Sequence, residues 1–157
     1  IHSEIYKARE NINSIAHAHP MYGKTFSTLG KTLDPISQDS CAFYERTALF
    51  ADYDGVANGP DEGINIAKAL GDKDFVILQN HGILTTGTMV DTTIWYFLNM
   101  EDACKSQLLA EAVGKPIVIP HETACATRDY VANDLSAYVS FQPTVDVLWE
   151  EEPDLLD

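Results

Sequence analysis

Short apolar runs alternate with segments of helical spacing along the chain, a pattern typical of α/β proteins. The run at 75–79 is apolar up to its last residue, which predicts a buried strand. After Pro60, apolar residues recur at helical spacing until Gly71, which predicts a helix with recognisable start and stop signals. We expect strands at 15–19, 47–51, 75–79 and 118–121, helices at 22–29, 60–71, 89–113 and 127–138, and a helix already under way at 5–9.

The longest predicted helix begins after Thr88 and ends before Gly114. Thr88 is followed three residues later by Asp91, a spacing that predicts a capping box. One face of the helix then carries apolar residues at regular intervals: Ile94, Phe97, Leu98, Cys104 and Leu108. We expect this helix and the strand at 75–79 to carry the apolar core.

Composition limits the organisation and the partners of the chain. With 157 residues, 45% of them hydrophobic, one hydrophobic core is expected. We predict one domain at 1–145 and an acidic, solvated tail at 146–157, which contains six of the 24 acidic residues. The net charge of −14 argues against nucleic acid and membrane surfaces as partners, because both are anionic. No stretch approaches the roughly 18 apolar residues of a membrane-spanning helix.

The cysteines and the first residue indicate the compartment and the extent of the chain. Cys41, Cys104 and Cys125 are odd in number, far apart and never in a C-x-x-C pair. A reducing cytoplasm is therefore expected. The sequence begins at Ile1 with no leader pattern, and we expect an N-terminal portion to precede it.

The candidate chemistry lies in the histidines, of which there are five. His17 and His19 stand two residues apart in a predicted strand, so their side chains point to the same face. That arrangement suits two ligands of one metal ion. The alternative is a pair of surface histidines beside the turn at Pro20. His2 and His121 are interpreted as ordinary polar residues.

A third histidine favours the metal interpretation. His81 ends the apolar strand at 75–79, and Gly82 allows the backbone to turn sharply there. Functional residues gather at strand ends in α/β sheets. Three neutral imidazoles with an open fourth position describe a catalytic zinc site rather than a structural one. The candidate ligands are therefore His17, His19 and His81.

Several longer runs together resemble the class II aldolase/adducin family, over about the first 115 residues. They are HSEIYKAR at 2–9, IAHAHP at 15–20, LDPISQ at 33–38, DYDGV at 52–56, ILQNHG at 77–82, and the glycine at 87 before a long helix. The resemblance implies a three-layer α/β/α domain with a mixed, largely antiparallel central sheet. It also implies that His17, His19 and His81 hold a divalent ion, usually zinc, and that the protein forms a homotetramer.

The family resemblance further implies a small-molecule carbonyl substrate. In the family's sugar-phosphate aldolases the ion chelates the ketone and hydroxyl oxygens, and so holds the charge of the enediolate during carbon–carbon cleavage. Epimerases, dehydratases and decarboxylases of the family share this chemistry. The family's catalytic Glu and phosphate-binding segments correspond to positions upstream of Ile1. Gln38 stands where some members have an acid tyrosine, and neither Cys41 nor Ala42 matches the acidic residue of the epimerases.

The residues leave three classes of function open. The first is a metal-dependent lyase acting on a small hydroxy-carbonyl substrate. The second is a non-enzymatic scaffold, because the motifs are nearer to the adducin-like branch, although the acidic end of this chain would repel acidic actin. The third is hydration or hydrolysis by a zinc-bound hydroxide. Acid–base candidates between the metal segments are Asp39, Tyr44, Asp52 and Tyr53, and we assign no catalytic residue among them.

Overall fold

A four-stranded sheet forms the centre of the molecule. The computed structural model describes residues 1–52, 55 and 60–156. The strands are β1 (Ser14–Ala18), β2 (Thr47–Phe50), β3 (Phe75–Leu78) and β4 (Gly82–Gly87), in the spatial order β1-β4-β3-β2. The β1/β4 and β4/β3 pairs are antiparallel, and the β3/β2 pair is parallel. The sheet is therefore mixed and largely antiparallel, as predicted.

Helices cover both faces of this sheet. They are α1 (His2–Ala8), α2 (Met21–Ser27), α3 (Pro60–Leu70), α4 (Val90–Val113), α5 (His121–Val131) and α6 (Asp134–Glu151), with 3-10 turns at Ser40–Phe43 and Pro153–Leu156. None of the helices in the described part of the chain has the length and apolarity needed to cross a membrane.

Strand β3 separates two apolar cores because successive side chains point to opposite faces. Phe75 and Ile77 pack with residues of α2 and α4, including Phe26 and Met100. On the other face, Val76, Leu78 and Leu84 pack with residues of α1 and α3: Ile5, Ile66 and Leu70. All four β3 side chains are fully buried. This arrangement confirms the predicted three-layer α/β/α fold.

Most predicted elements lie within a few residues of the observed ones, but three predictions are wrong. Residues 118–121 form no strand, because Pro116 and Pro120 lie on either side of 117–119 and His121 already begins α5. The single helix predicted at 127–138 is two helices, with α5 ending at Val131 and α6 beginning at Asp134. Strand β4 is present where no strand was predicted.

The predicted capping box before α4 is also wrong. The residue preceding the helix is Met89, and no side chain caps that end of it. The Thr88 hydroxyl instead donates to Asp134 Oδ2 at 2.9 Å, and Asp91 Oδ1 accepts a bond from Gln142. Both side chains that the local pattern assigned to the start of α4 therefore form hydrogen bonds with residues of α6 instead. The predicted division at residue 145 lies inside α6, and the acidic tail stays a prediction.

Candidate metal centre

Strand β1 and the residue after it present the first two histidines. His17 lies opposite Leu84 in the antiparallel pairing of β1 with β4. His19 comes directly after Ala18, the last residue of β1, and Pro20 lies between His19 and the start of α2. Because β1 pairs with β4 along its whole length, the sheet fixes the backbone of His17 and that of Ala18, the residue before His19.

The third histidine lies in the tight connection between β3 and β4. Leu78 pairs with Gly82, so only residues 79–81 join the two strands. Asn80 adopts a left-handed backbone conformation with φ of 58°, a conformation that asparagine tolerates better than most residues. The backbone N–H of His81 then donates to the Leu78 carbonyl at 3.0 Å. This hairpin places His81 at the same sheet end as His19.

Gly82 is required by a close approach rather than by a sharp turn. A Cβ at this position would lie 2.6 Å from the Ala18 carbonyl oxygen and 3.1 Å from the His19 ring. The first contact is with backbone, which cannot move aside like a flexible side chain. The sequence pattern thus indicated the correct glycine, but Asn80 makes the left-handed turn, and Gly82 lets the end of β1 approach β4.

The structure brings the three predicted ligands together. The ring centroids of His17 and His81 are 4.9 Å apart, those of His19 and His81 are 4.7 Å apart, and those of His17 and His19 are 5.2 Å apart. One nitrogen from each ring can be chosen so that all three lie within 4.8 Å of one another. His17 and His81 are half-buried and His19 is exposed, so the cluster is open on one side.

A backbone hydrogen bond fixes which nitrogen His17 presents. Its Nδ1 lies 2.9 Å from the Ile83 carbonyl oxygen. A carbonyl only accepts, so Nδ1 carries the proton and donates, and Nε2 keeps its lone pair. Metal-binding histidines are commonly oriented in this way, with the non-ligating N–H bonded to a carbonyl.

The electrostatics of the cluster favour neutral rings. Burial lowers the pKa of His17 to about 4, against the opposing effect of its hydrogen bond to the Ile83 carbonyl, and the neighbouring histidines lower it further. Burial, followed by the charge of His19, also lowers the pKa of His81. Both rings are therefore unprotonated at neutral pH, the form in which imidazole binds a metal ion.

Glu62, in the first turn of α3, is a site residue that sequence reasoning missed. Its carboxylate acts on the pKa of His81 in the raising direction, which places it near that ring. Its Oε1 atom is buried and lacks a hydrogen-bond partner in the part of the chain that is described. A buried oxygen of this kind needs an explanation. The acidic pair after Pro60 was visible in the sequence, but only the packing of α3 shows its proximity to the histidines.

Asp39 and Asp52, two of the acid–base candidates predicted from the sequence, do not belong to the group of residues whose ligand atoms converge. Asp39 and Asp52 are exposed, and Tyr53 lies outside the described residues. Tyr44 contacts His121, with its hydroxyl 3.1 Å from Nδ1. Gln38 is exposed as well. The thiol of the buried Cys41, in the 3-10 turn, donates to the carbonyl of Ser37, which precedes that turn.

His2 is the remaining histidine near the site. Its ring centroid lies 6.4 Å from that of His17, and its side chain is exposed on α1. It does not belong to the group of residues whose ligand atoms converge. His2 therefore borders the cluster without completing it.

Comparisons with known proteins identify the family and support the fold. Residues 1–108 match the family described as Class II Aldolase and Adducin N-terminal domain. A solved structure titled L-fuculose 1-phosphate aldolase, from Glaciozyma antarctica PI12, aligns with a TM-score of 0.87 and 40% identity, covering 98% of this chain and 58% of that one.

Two curated relatives carry different names. Decarboxylase NovR of Streptomyces niveus is 37% identical over 155 residues, which is 99% of this chain and 57% of the relative. Alpha-adducin of Rattus norvegicus is 37% identical over 117 residues, covering 73% of this chain and 16% of the relative. This chain thus spans little more than half of NovR and a small part of the adducin. The family match and the fold agree, and the chain belongs to the class II aldolase/adducin family.

Proposed function

We propose that this chain forms the metal-binding part of a lyase that acts on a small hydroxy-carbonyl substrate. His17, His19 and His81 hold one divalent ion, most simply Zn²⁺. The observation that carries the proposal is the convergence of three imidazoles whose ligand atoms lie within 4.8 Å of one another. The sugar-like nature of the substrate is an extension from the name of the aldolase relative.

The chemistry of the donor set supports an ion at this position. Two of the three rings have lowered pKa values, and the Nδ1–H of His17 is already committed to a carbonyl. Three histidines leave a position for substrate oxygen, unlike the closed ligand sets of structural zinc sites. When bound, a divalent ion supplies a Lewis acid that stabilises negative charge on a substrate oxygen.

The protein groups around the cluster have separate roles in this proposal. The Ile83 carbonyl holds the His17 ring in one tautomer and orientation. Glu62 is our candidate general base, because its buried Oε1 is not engaged by any described residue and its charge acts on His81. A proton taken from the substrate would be held on this oxygen.

The names of the relatives support carbon–carbon cleavage as the reaction class. One is titled an aldolase and the other a decarboxylase. Aldol cleavage and the decarboxylation of a keto acid both leave an electron pair beside a carbonyl group, and a cation near the carbonyl oxygen lowers the barrier to each. A lyase is therefore the activity that the site supports best.

The test is metal analysis followed by an activity screen on the full chain. Dialysed protein should contain about one equivalent of ion, or take it up when zinc is added. Ketose phosphates and hydroxy-keto acids without phosphate are then offered with the ion present. We expect Glu62→Gln to retain the ion and lose turnover, whereas the exposed control Glu122→Gln retains both. Wild-type protein that contains less than about a tenth of an equivalent of ion per chain, and takes up no zinc, would contradict the proposal.

The second candidate function is an adducin-like scaffold, which the similarity to rat alpha-adducin favours. In that case the histidine cluster would bind an ion without catalysing a reaction. A wild type that binds metal but turns over no substrate in the screen, and in which Glu62→Gln changes nothing, would support this alternative.

We also propose a homotetramer that works in the cytoplasm. Large apolar side chains of α6, including Leu135, Val139 and Trp149, are more than half exposed, as an association surface would require. Cys41 and Cys104 are buried free thiols, consistent with a reducing compartment. Light scattering that reports only monomer at micromolar concentration would contradict the assembly.

A further inference from the structure

A second group of possible metal ligands lies at the other end of the sheet. Glu45 precedes β2, whereas His81 follows β3, and these two strands run parallel. The carboxylate of Glu45 meets the side chains of His121 and Cys125, and one ligand atom from each of the three lies within 4.8 Å of the other two. This group, which we call the mixed cluster, contains no residue of the histidine site.

Helix α5 supplies two of the three side chains at a spacing suited to one ion. His121 and Cys125 are four residues apart, so they lie on the same face on consecutive turns. The Cys125 Sγ is 3.8 Å from His121 Nε2 and 3.6 Å from Glu45 Oε2. The three groups are thus close enough to contact one ion after small side-chain movements.

The backbone of Glu45 is held in an uncommon conformation. Its φ is 60°, in the left-handed region that residues with a Cβ rarely adopt. The Lys73 ammonium donates to the Glu45 carbonyl at 2.6 Å, and the next residue, Arg46, bonds to Phe43 through its backbone. Backbone strain of this kind clusters at binding sites, and the Glu45 carboxylate lies 3.6 Å from the Cys125 thiol of α5.

Tyr44 can orient the imidazole of the mixed cluster. Its hydroxyl lies 3.1 Å from His121 Nδ1, so a protonated Nδ1 can donate to the phenol oxygen. Nε2 is then left with a free lone pair, and it lies 3.8 Å from the Cys125 Sγ, the same distance as Nδ1. Nδ1 is also 3.8 Å from Glu45 Oε1, so the ring turns slightly when Nε2 binds the ion. The hydrogen bond to Tyr44 matches the indirect support that metal-binding histidines receive from a hydrogen-bonded neighbour.

We propose that Glu45, His121 and Cys125 form a second metal site, which binds Zn²⁺ or a similar borderline-soft divalent ion. Oxygen, nitrogen and sulfur ligands together suit zinc better than magnesium or calcium, which prefer oxygen alone. Three protein ligands leave one position for water. On binding, the Cys125 thiol releases its proton to solvent and ligates as the thiolate.

One cation competes for the same carboxylate. Arg128 Nη1 lies 3.1 Å from Glu45 Oε2, and Arg128 Nε bonds to Asp129 Oδ1 at 2.8 Å. Because Asp129 offsets much of the guanidinium charge, and because His121 and Glu45 are 63% and 48% exposed, an ion can reach the cluster. Removing the guanidinium should strengthen metal binding.

Cobalt is the probe that separates this site from the histidine site. Co²⁺ bound to a thiolate gives a charge-transfer band in the near ultraviolet, and the histidine site contains no sulfur. We expect the full chain titrated with Co²⁺ to show this band, Cys125→Ala to abolish it, and His121→Ala and Glu45→Gln to weaken binding by at least about tenfold. Glu122→Gln, on the same helix but outside the cluster, is the matched control and should leave the band unchanged.

Two further variants sharpen the test. Arg128→Gln should lower the Co²⁺ concentration at half-saturation, and His81→Ala should leave the band intact because it affects the other site only. No band in the wild type, or a band that survives Cys125→Ala, would overturn the proposal. Circular dichroism on each variant checks folding, and exposed side chains such as His121 can be changed without disturbing the core.

Discussion

The two clusters of candidate ligands, at opposite ends of one sheet, are built in different ways. The histidine site consists of three identical groups on β1 and the β3–β4 hairpin, with two of the rings half-buried. The mixed cluster joins a carboxylate before β2 to two residues of α5, with the carboxylate and the imidazole exposed. Hydrogen-bonded strands hold the first, and the packing of a helix on a 3-10 turn holds the second. We therefore expect the first to bind an ion more rigidly.

The two clusters also differ in the main cause that shifts the pKa values of their ligands. Burial is the main cause that lowers the pKa of His17 to about 4. At the mixed cluster, the hydrogen bond from Arg128 is the main cause that lowers the pKa of Glu45. Desolvation therefore prepares neutral ligands at one end, and a competing cation keeps the carboxylate charged at the other.

The largest effect should come from removing a histidine ligand. His81→Ala should lose the ion, and with it the stabilisation that the ion provides, about 3 kcal/mol when metal is present at about a hundred times its dissociation constant. Calorimetric melting with and without zinc measures this difference. His2→Ala is the matched control, because its ring borders the site without joining it. Equal zinc-dependent stabilisation in wild type and His81→Ala would contradict a metal site that includes His81.

The next effect concerns the contact that brings the strands together. Gly82→Ala would place a methyl group against the Ala18 carbonyl and should destabilise the fold by about 1–3 kcal/mol, while moving His19 away from His81. Gly114→Ala is the control, because a Cβ there meets no atom within 4 Å. Urea unfolding gives the stability and zinc titration gives the affinity. A Gly82→Ala variant as stable as Gly114→Ala would show that the strands can separate at no cost.

The proximity of the three histidines could be predicted from the sequence because its determinants are local. A period of two places His17 and His19 on one face, and the end of an apolar run locates His81. Strand β4 was missed although its residues, GILTTG, follow β3 after only three residues and include two β-branched threonines. A hairpin interpretation of that segment would have found it.

The other end of the sheet depends on contacts that no local pattern contains. Glu45 is separated by 76 positions from His121 and by 80 from Cys125, and the three meet only because α5 packs on the 3-10 turn before β2. The spacing of four between His121 and Cys125 was the available signal, but two ligands on a helix do not identify the third. Glu62 was missed for the same reason, since only the packing of α3 shows its position near His81.

A smaller effect is expected on the stability of the metal-free protein as a function of pH. The folded-state pKa of His17 lies below the value of about 6.5 for an unfolded histidine, so the unfolded state binds more protons between about pH 4 and 6.5. Stability from this group is therefore present above pH 6.5 and lost as the pH falls toward 4. After screening by solvent is allowed for, we expect a loss of about 1–2 kcal/mol.

Urea unfolding in the presence of a chelator measures this loss. The measurements run from about pH 7.5 to about pH 5, the range in which histidines titrate and most carboxylates do not. In His17→Asn, the free energy of unfolding should depend less on pH. The same dependence in wild type and His17→Asn would show that burial of this ring does not control it.

The smallest expected effect is chemical rather than energetic, and it tests the accessibility of the mixed cluster. Of the three free thiols, Cys41 and Cys104 are buried, and burial raises the pKa of Cys104 to about 12. Only Cys125 is partly exposed. A thiol-specific disulfide reagent should therefore modify one cysteine in the native protein at pH 8 (about the pKa of a free thiol) and all three in denaturant. Zinc should slow the native reaction if the Cys125 sulfur is bound, and Glu45→Gln should weaken that protection, whereas His81→Ala should not. Protection that disappears in His81→Ala but persists in Glu45→Gln would mean that zinc acts on Cys125 only through the histidine site.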